Sequence, residues 1–425
     1  MKAEQYLNIL KSEIRPALGC TEPIAVALAV ARAREELGCL PDTVELCVSK
    51  NILKNAMGVG IPGTSMVGLE IASALSCLIG KSSYDLEVLK DATHGDYALA
   101  KGMVKSGLVH VSVKDTDKKL FIEAKLIKGD HHAVCIIEDS HTRIRMVMLD
   151  GIVIVSNAAK TDDLNGSDVQ QIDIAGIYNF IIAVELHHIE FLREGNIMND
   201  AIAQEGLNNK YGMCVGRTLQ SGRKMDEMSL CEYVSSYTAA AADARMDCCT
   251  LPVMSTAGSG NQGITASLPV LAAARKLDLD EVSTLRAEAL SQLVTIHIRK
   301  YIGRLSPLCG CAVASSIGAA CGIVFLLGGN LEHIGYAIKN MISDFAGIIC
   351  DGAKPSCALK IASSVSCAVQ CAQLALAGIC ASSLDGIVSQ DVEATISNLG
   401  ILATKGMKDA DNVILGMMLN KRNKE

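Results

Sequence analysis

Tryptophan is absent from this chain, aromatic residues make up only 3%, and 8 prolines serve 425 residues. The aromatic shortage removes the stacking platforms on which bases or sugars are held. It also leaves the core to Ala, Val, Ile and Leu. Charge is sparse as well, at 20%, and the net charge of −7 comes without a basic run. That balance excludes a nucleic-acid partner or an anionic membrane surface. Few prolines and a half-hydrophobic composition exclude disorder. At roughly 100–200 residues per domain, the length suggests two or three domains. The first 16 residues are charged and lack a long apolar stretch, so no secretory leader is expected and the chain reads as cytoplasmic.

Cysteine is what the chain has in excess, with 17 residues. An odd number in a large cytoplasmic chain reads as reduced thiols plus a metal site rather than a disulfide framework. For most of them the plain alternative holds, that a free cysteine is a small buried hydrophobe. Mean hydropathy is +0.30. Two charge-free windows, 305–331 and 361–384, are long enough to span a bilayer of roughly 20 residues. Both are rich in Ala, Gly, Ser and Cys, and neither has an aromatic belt or flanking Lys/Arg asymmetry. They read as small-residue helices at the centre of a bundle.

Patterning along the chain predicts an α+β fold. An amphipathic helix is expected over 3–17. Thr21-Glu22-Pro23 reads as a helix start, with Thr21 as the cap and Pro in the first turn. The helix continues over 24–37 and stops at Gly38. Cys20 then lies just ahead of a helix N-terminus, a position that lowers a thiol's pKa. A strand is expected at 43–49, a glycine-rich turn at 57–64 and a helix at 66–79. Residues 108–113, 120–127, 133–138 and 144–155 read as four strands, with Gly129-Asp130 as a turn. Residues 162–168 form a polar linker, and from Val169 onward the periodicity is helical. The organisation is therefore an α+β domain over 1–165, with a β-rich segment at 107–156, and a large mainly helical domain over 166–425. No internal repeat is visible.

The segment Gly258-Ser259-Gly260-Asn261-Gln262-Gly263 matches a dinucleotide-binding pattern. That pattern needs a βαβ unit with an acidic residue ending the second strand. Asp278 and Asp280 stand at about the right distance but open another helical run, so the dinucleotide reading fails. A helix start there still offers backbone N–H groups and the Asn261 amide to a carboxylate or phosphate, or is simply a tight turn.

A second constellation is richer in chemistry. Cys309-Gly310-Cys311 is followed by Cys350 and, seven residues later, Cys357. No C-x₂-C pair or paired His accompanies them, which argues against a structural zinc finger. Gly and Pro between Cys350 and Cys357 make a loop that can turn both sulfurs inward, toward a third from Cys309 or Cys311. Three thiolates on a [4Fe–4S] cluster leave one iron open as a Lewis acid. The alternative is a group of core thiols.

Taken together, Arg15-Pro16-Ala17-Leu18-Gly19-Cys20-Thr21-Glu22-Pro23, the stretch from Lys54 to Thr64, the 258–263 loop and the two C-terminal cysteine segments resemble the L-cysteine desulfidase family. That family is related to the alpha part of iron–sulfur L-serine dehydratases. The resemblance runs nearly end to end. It implies a pyridoxal-independent elimination with an oxygen-sensitive [4Fe–4S] cluster held by Cys311, Cys350 and Cys357. Cys309 competes for the first place; the Gly310-Cys311 pair resembles the dehydratase pattern and favours Cys311. Cys20 matches the family's cysteine beside the cluster, as a base or displaceable ligand. Candidates to bind the substrate carboxylate are Asn55, Ser259 and Asn261, with the His141-Thr142 pair either facing the site or exposed at a strand end. Lys354 is a candidate to neutralise cluster charge. The expected reaction converts L-cysteine to pyruvate, ammonia and hydrogen sulfide. The shorter Cys350–Cys357 spacing favours this over L-serine dehydration. A non-catalytic iron–sulfur redox sensor and a pyridoxal enzyme are the competing classes. A small amino acid is the expected substrate, and a homodimer the expected assembly.

Overall fold

A computed structural model describes residues 1–157, 169 and 171–422. The linker expected at 162–168 lies outside the described residues. The fold is α+β, with a small sheet in the N-terminal part and a mainly helical C-terminal part.

The chain opens with α1 (Ala3–Glu13) and then a short strand, β1 (Ile14–Ala17), where the sequence suggested continuous helix. Pro16 accounts for the change, because the residue before a proline is driven out of helical conformation. Helix α2 (Thr21–Leu37) follows, and Gly38 ends it in the left-handed region at φ 73°. Cys20, not Thr21, occupies the N-cap; the Thr21 hydroxyl instead donates to the Glu22 carboxylate at 3.1 Å. After β2 (Thr43–Val48) come α3 (Lys50–Ala56), α4 (Leu69–Ile79) and α5 (His94–Lys105). Helix α4 starts three residues later than the periodicity suggested. Gly68 at φ 100° and a bridge between Gly60 and Val67 keep the preceding residues out of the helix.

The sheet is completed by β3 (Val109–Val113), β4 (Phe121–Lys128), β5 (His131–Glu138), β6 (Ile144–Leu149) and β7 (Ile152–Ser156). Its order is β3-β2-β4-β5-β6-β7, with only the β2–β3 pair parallel. The run 144–155, expected as one strand, is a hairpin. Leu149 faces Ile152 across Asp150-Gly151, both at positive φ, as a two-residue Asp-Gly turn requires. Helix α2 is apolar around most of its circumference because it is covered on two sides. Ala25, Val26, Ala29 and Ala33 join a core with Leu46, Ile122 and Ala133 of the sheet, while Ile24, Ala27 and Ala31 join Ile71 and Leu75 of α4.

The second part is built from α6 (Ile174–Ala183), α7 (Leu192–Asn208), α8 (Leu230–Met246), α9 (Gly260–Lys276), α10 (Glu281–Ile302), α11 (Ser316–Leu326), α12 (Leu331–Phe345), α13 (Cys357–Leu376), α14 (Val392–Ile401) and α15 (Ala410–Arg422). One strand interrupts it, β8 (Val253–Thr256), which the helical periodicity did not reveal. It pairs antiparallel with β1, placing Ile14 against Thr256 and Ala17 against Val253. A strand and a helix thus do flank the 258–263 loop, but among the described residues β8 pairs only with β1 and no parallel strand follows, so no βαβ unit is formed there. Both ends of the chain cross between the parts. Tyr6, Leu7 and Leu10 of α1 join the helical core, and Leu415 of α15 joins the sheet-side core. One described helix, α13, is long and apolar enough to cross a membrane, and more than half of its apolar window is buried inside the fold.

Candidate active site

The two parts meet around a small polar chamber. From the sheet side come Cys20, Glu22, Asn55 and His141; from the helical side come Arg245, Ser259, Asn261, Gln262, Arg299, Arg304, Cys309, Cys311, Cys350 and Cys357. Cys20, Asn55, His141, Ser259, Asn261, Cys309, Cys311, Cys350 and Cys357, proposed above for catalysis, substrate binding and metal ligation, therefore line one space, and Thr142 does not.

Local backbone structure explains the convergence. Leu308 and Ile349 form an antiparallel bridge, Cys309 N–H donates to Ile348 O at 2.8 Å, and Cys350 N–H donates to Pro307 O at 2.7 Å. The two cysteine segments, 40 residues apart in sequence, are thus stitched edge to edge. Beyond Gly310 the chain forms a wide π turn over Cys311–Ser315 before α11 begins. Such turns recur at functional sites because they displace side chains from helical register. Gly310 sits in a crowded place: a Cβ there would lie 2.8 Å from Arg299 Nη1 and 3.0 Å from the Gln262 amide carbon, so both side chains would have to shift. Cys357 begins α13, its N–H bonded to Lys354 O at 2.9 Å.

The sulfurs are close together. Cys309 Sγ and Cys311 Sγ are 3.3 Å apart and both buried. The contact favours loss of one proton from the pair, and the resulting thiolate then opposes loss of the second. Cys20 packs with Val59, Met246 and Cys357. Burial pushes the Cys357 thiol up to about 12. It also pushes Cys20 up to about 11, opposed in part by Arg245. This corrects the expectation of a readily ionised thiol at the helix start: at 3% exposure, desolvation outweighs the helix terminus.

Cations surround this space. Arg245 is buried and clamps two walls together, donating to Gly19 O at 2.7 Å and to Asn261 Oδ1 at 2.9 Å. Arg299 is fully buried; burial and, less strongly, the neighbouring Arg304 lower its pKa to about 10, with Cys350, Cys309 and Cys311 acting in the opposite direction. It donates to Arg304 O, and Arg304 pairs with Glu13 at 2.9 Å. None of these arginines stands out from sequence: Arg245 is far from the cysteine motifs, and Arg299, near the end of α10, and Arg304, in the turn after it, precede Cys309 without a motif of their own. Lys354, by contrast, is bound to its neighbour Asp351 at 2.7 Å and donates to the Asp351 carbonyl at 2.9 Å. Its charge is matched within its own turn, which corrects its expected role beside the thiols.

Glu22 is the hub of the sheet-side wall. It accepts from Asn55 Nδ2 at 3.0 Å, and its Oε1 lies 4.0 Å from His141 Nε2. His141 is buried rather than exposed at a strand end. The Asn55 Oδ1 and Gln262 Oε1 atoms are buried with no hydrogen-bond partner among the described residues, as are Arg245 Nε and Arg299 Nε. Polar atoms in that state point to a polar occupant. Outside the chamber lies a larger cleft lined by Ser12, Arg15, Tyr84, Glu87 and Thr142. The two spaces share His141, Gly258 and Arg304. At Gly258, φ is +77° and a Cβ would meet Arg304 Nη1 at 3.0 Å and His141 Nδ1 at 3.4 Å, so the neck between the spaces has no room for a side chain.

Soft thiolate donors in an arginine-lined chamber fit an anionic iron–sulfur group better than a hard cation, which takes oxygen ligands. The chain is similar over 99% of its length to a UPF0597 protein of Clostridium perfringens, at 46% identity over 421 residues covering 99% of that protein. A UPF0597 protein of Phocaeicola vulgatus is 43% identical over 423 residues, covering 99% of this chain and 98% of its own. One from Bacteroides thetaiotaomicron is 41% identical over 421 residues, with 98% of each covered. The family model for the serine dehydratase alpha chain matches residues 84–416. That span covers well over half of the chain, with Cys20, Glu22 and Asn55 of the chamber preceding it, and the chain therefore belongs to the serine dehydratase alpha-chain family.

Proposed function

We propose that this protein is a pyridoxal-independent iron–sulfur lyase that eliminates hydrogen sulfide from L-cysteine. The observation that carries this is the gathering of Cys309, Cys311, Cys350 and Cys357 on one wall of the chamber, with Cys20 packed against Cys357 from the other. In this reading Cys311, Cys350 and Cys357 hold a [4Fe–4S] cluster, with Cys309 the alternative to Cys311. When bound, the cluster supplies a Lewis-acidic iron that weakens the bond to the β-substituent.

The chain's own residues do the rest. Cys20 takes the α-proton of the substrate as a thiolate, and Arg245 is the cation that favours that form. The Cα–H electron pair forms the double bond as the Cβ–S bond breaks, and sulfide leaves. The aminoacrylate product hydrolyses to pyruvate and ammonia. Asn55, Ser259 and Asn261 bind the substrate carboxylate. Arg245 holds Asn261 by its amide oxygen, which leaves the amide N–H₂ as the donor. His141 guards the neck through which substrate enters. We place the protein in the cytoplasm, as a homodimer acting on a small amino acid without nucleic acid or membrane.

The family match favours a second reading, L-serine dehydration with the same residues. Anaerobic reconstitution followed by assay on both amino acids separates the two. Sulfide and pyruvate from L-cysteine support the first reading. Pyruvate from L-serine alone makes the protein a dehydratase. Pyruvate from neither substrate, with no iron uptake, removes both.

A further inference from the structure

We propose that Asp411, in the first turn of the C-terminal helix, is a positioning residue for Cys350, acting through Lys54. The proposal rests on the reading that Cys350 is a cluster ligand.

Lys54 is 1% exposed, an unusual state for an ammonium group. Its Nζ donates to the Cys350 carbonyl at 2.9 Å and to Asp411 Oδ1 at 2.5 Å. The other Asp411 oxygen accepts from Asn51 Nδ2 at 2.7 Å. Asn51 and Lys54 are three residues apart on α3 and so share one face, and that face receives the carboxylate. Residue 411 is otherwise remote from the chamber in sequence, and its helix is brought in by packing. Leu415, one turn on, is buried in the sheet-side core, and Leu419, a further turn on, packs against it. A carboxylate in the first turn of α15 also suits the positive end of that helix.

The consequence falls on the cysteine loop. The main chain of Cys350 is fixed at both groups, N–H to Pro307 O and C=O to Lys54 Nζ. The next turn rests on the same end of α3. Ala353 N–H donates to Asn55 O at 3.3 Å, and a Cβ at Gly352 would lie 2.4 Å from Lys54 O. Without Asp411, Lys54 is a buried ammonium with one neutral acceptor. Such a charge draws in water or swings away, and either movement frees the carbonyl that aims the Cys350 thiol. The C-terminal helix thus sets how firmly the cluster loop is held, although none of its residues reaches the chamber.

The test compares wild type with Asp411→Asn, Asp411→Glu, Leu415→Ala and Cys350→Ala after anaerobic reconstitution with iron and sulfide. Iron content and the decay of the visible cluster absorption in air are the readouts, with melting of the iron-free proteins as a control for folding. Partners that hold a ligand in place are worth 10–100-fold in metal affinity. Asp411→Asn is therefore expected to speed cluster decay about ten-fold or more, with the iron-free fold intact and Asp411→Glu restoring slow decay. Leu415→Ala, which loosens the helix without touching charge, shifts decay the same way. If Asp411→Asn and Leu415→Ala decay like wild type while Cys350→Ala takes up no cluster, the positioning role is wrong and the ligand reading stands. If Cys350→Ala itself keeps a full cluster, both fall.

Discussion

The two walls of the chamber are made in opposite ways. The helical wall comes from α8 and from segments set among α9, α10, α11 and α13, and it presents thiols and guanidinium groups. The sheet-side wall comes from a helix start, a helix end and a strand connection around one carboxylate, Glu22. The first is rigid main chain stitched to main chain; the second is a side-chain network. In the proposed reading the difference teaches a division of labour: the cysteines of the helical wall hold the cluster, Cys20 on the sheet-side wall handles the proton, and the substrate carboxylate is held between the walls, by Asn55 on one side and Ser259 and Asn261 on the other.

Substitutions that strike one wall and spare the other break or sharpen this comparison. The largest effect is expected from Cys357→Ala, which should abolish both iron uptake and turnover. Cys20→Ser should leave iron content unchanged and lower turnover roughly 10²–10⁴-fold, the range for loss of a general base. Equal iron loss in both variants would erase the division. Gly310→Ala pushes a methyl group against Arg299 and Gln262 and should destabilise the fold by about 1–3 kcal/mol, read as a lower denaturation midpoint. Glu288, far back in the helical part, tests rigidity through pH. Burial pushes its carboxyl up to about 8, so it stays protonated in the folded protein while the unfolded chain ionises near 4.5. Its contribution is full below 4.5 and is lost as pH rises through 8. Glu288→Gln keeps the acceptor for Asn196 and should raise the melting temperature at pH 8–9 with little change at pH 4. The smallest effect is expected from Cys367→Ser. That thiol touches Asp344 and Cys371, away from the chamber, and neither iron nor turnover should move.

Much of the fold was legible because its signals are local. Alternation in 43–49, 120–127 and 133–138 and the stop at Gly38 reflect short-range chemistry, and the strands and helix end follow. The Asp150-Gly151 hairpin carried the same kind of signal inside a run that looked continuous. Strand β8 was hidden because four residues are too few to show a period, and its partner lies at the other end of the chain. The cysteines of the chamber were legible from their motifs. Arg245 and the Lys54–Asp411 pair were not, since only packing of distant segments brings them in, and Arg299 and Arg304, though shortly before Cys309, belong to no motif. The ionisation of Cys20 was misjudged for a related reason: the helix start is written in the sequence, whereas complete burial is a property of the assembled fold.

The central claim is that the cysteines of the helical wall hold an iron–sulfur cluster and that Cys20, on the sheet-side wall, works on the substrate. Iron and acid-labile sulfide, measured on anaerobically reconstituted wild type, Cys20→Ala and Cys350→Ala, test it most directly. The account predicts about four irons per chain in wild type and Cys20→Ala, as the cluster type requires, and loss of them in Cys350→Ala. Equal iron in all three proteins, or none in wild type, would contradict it.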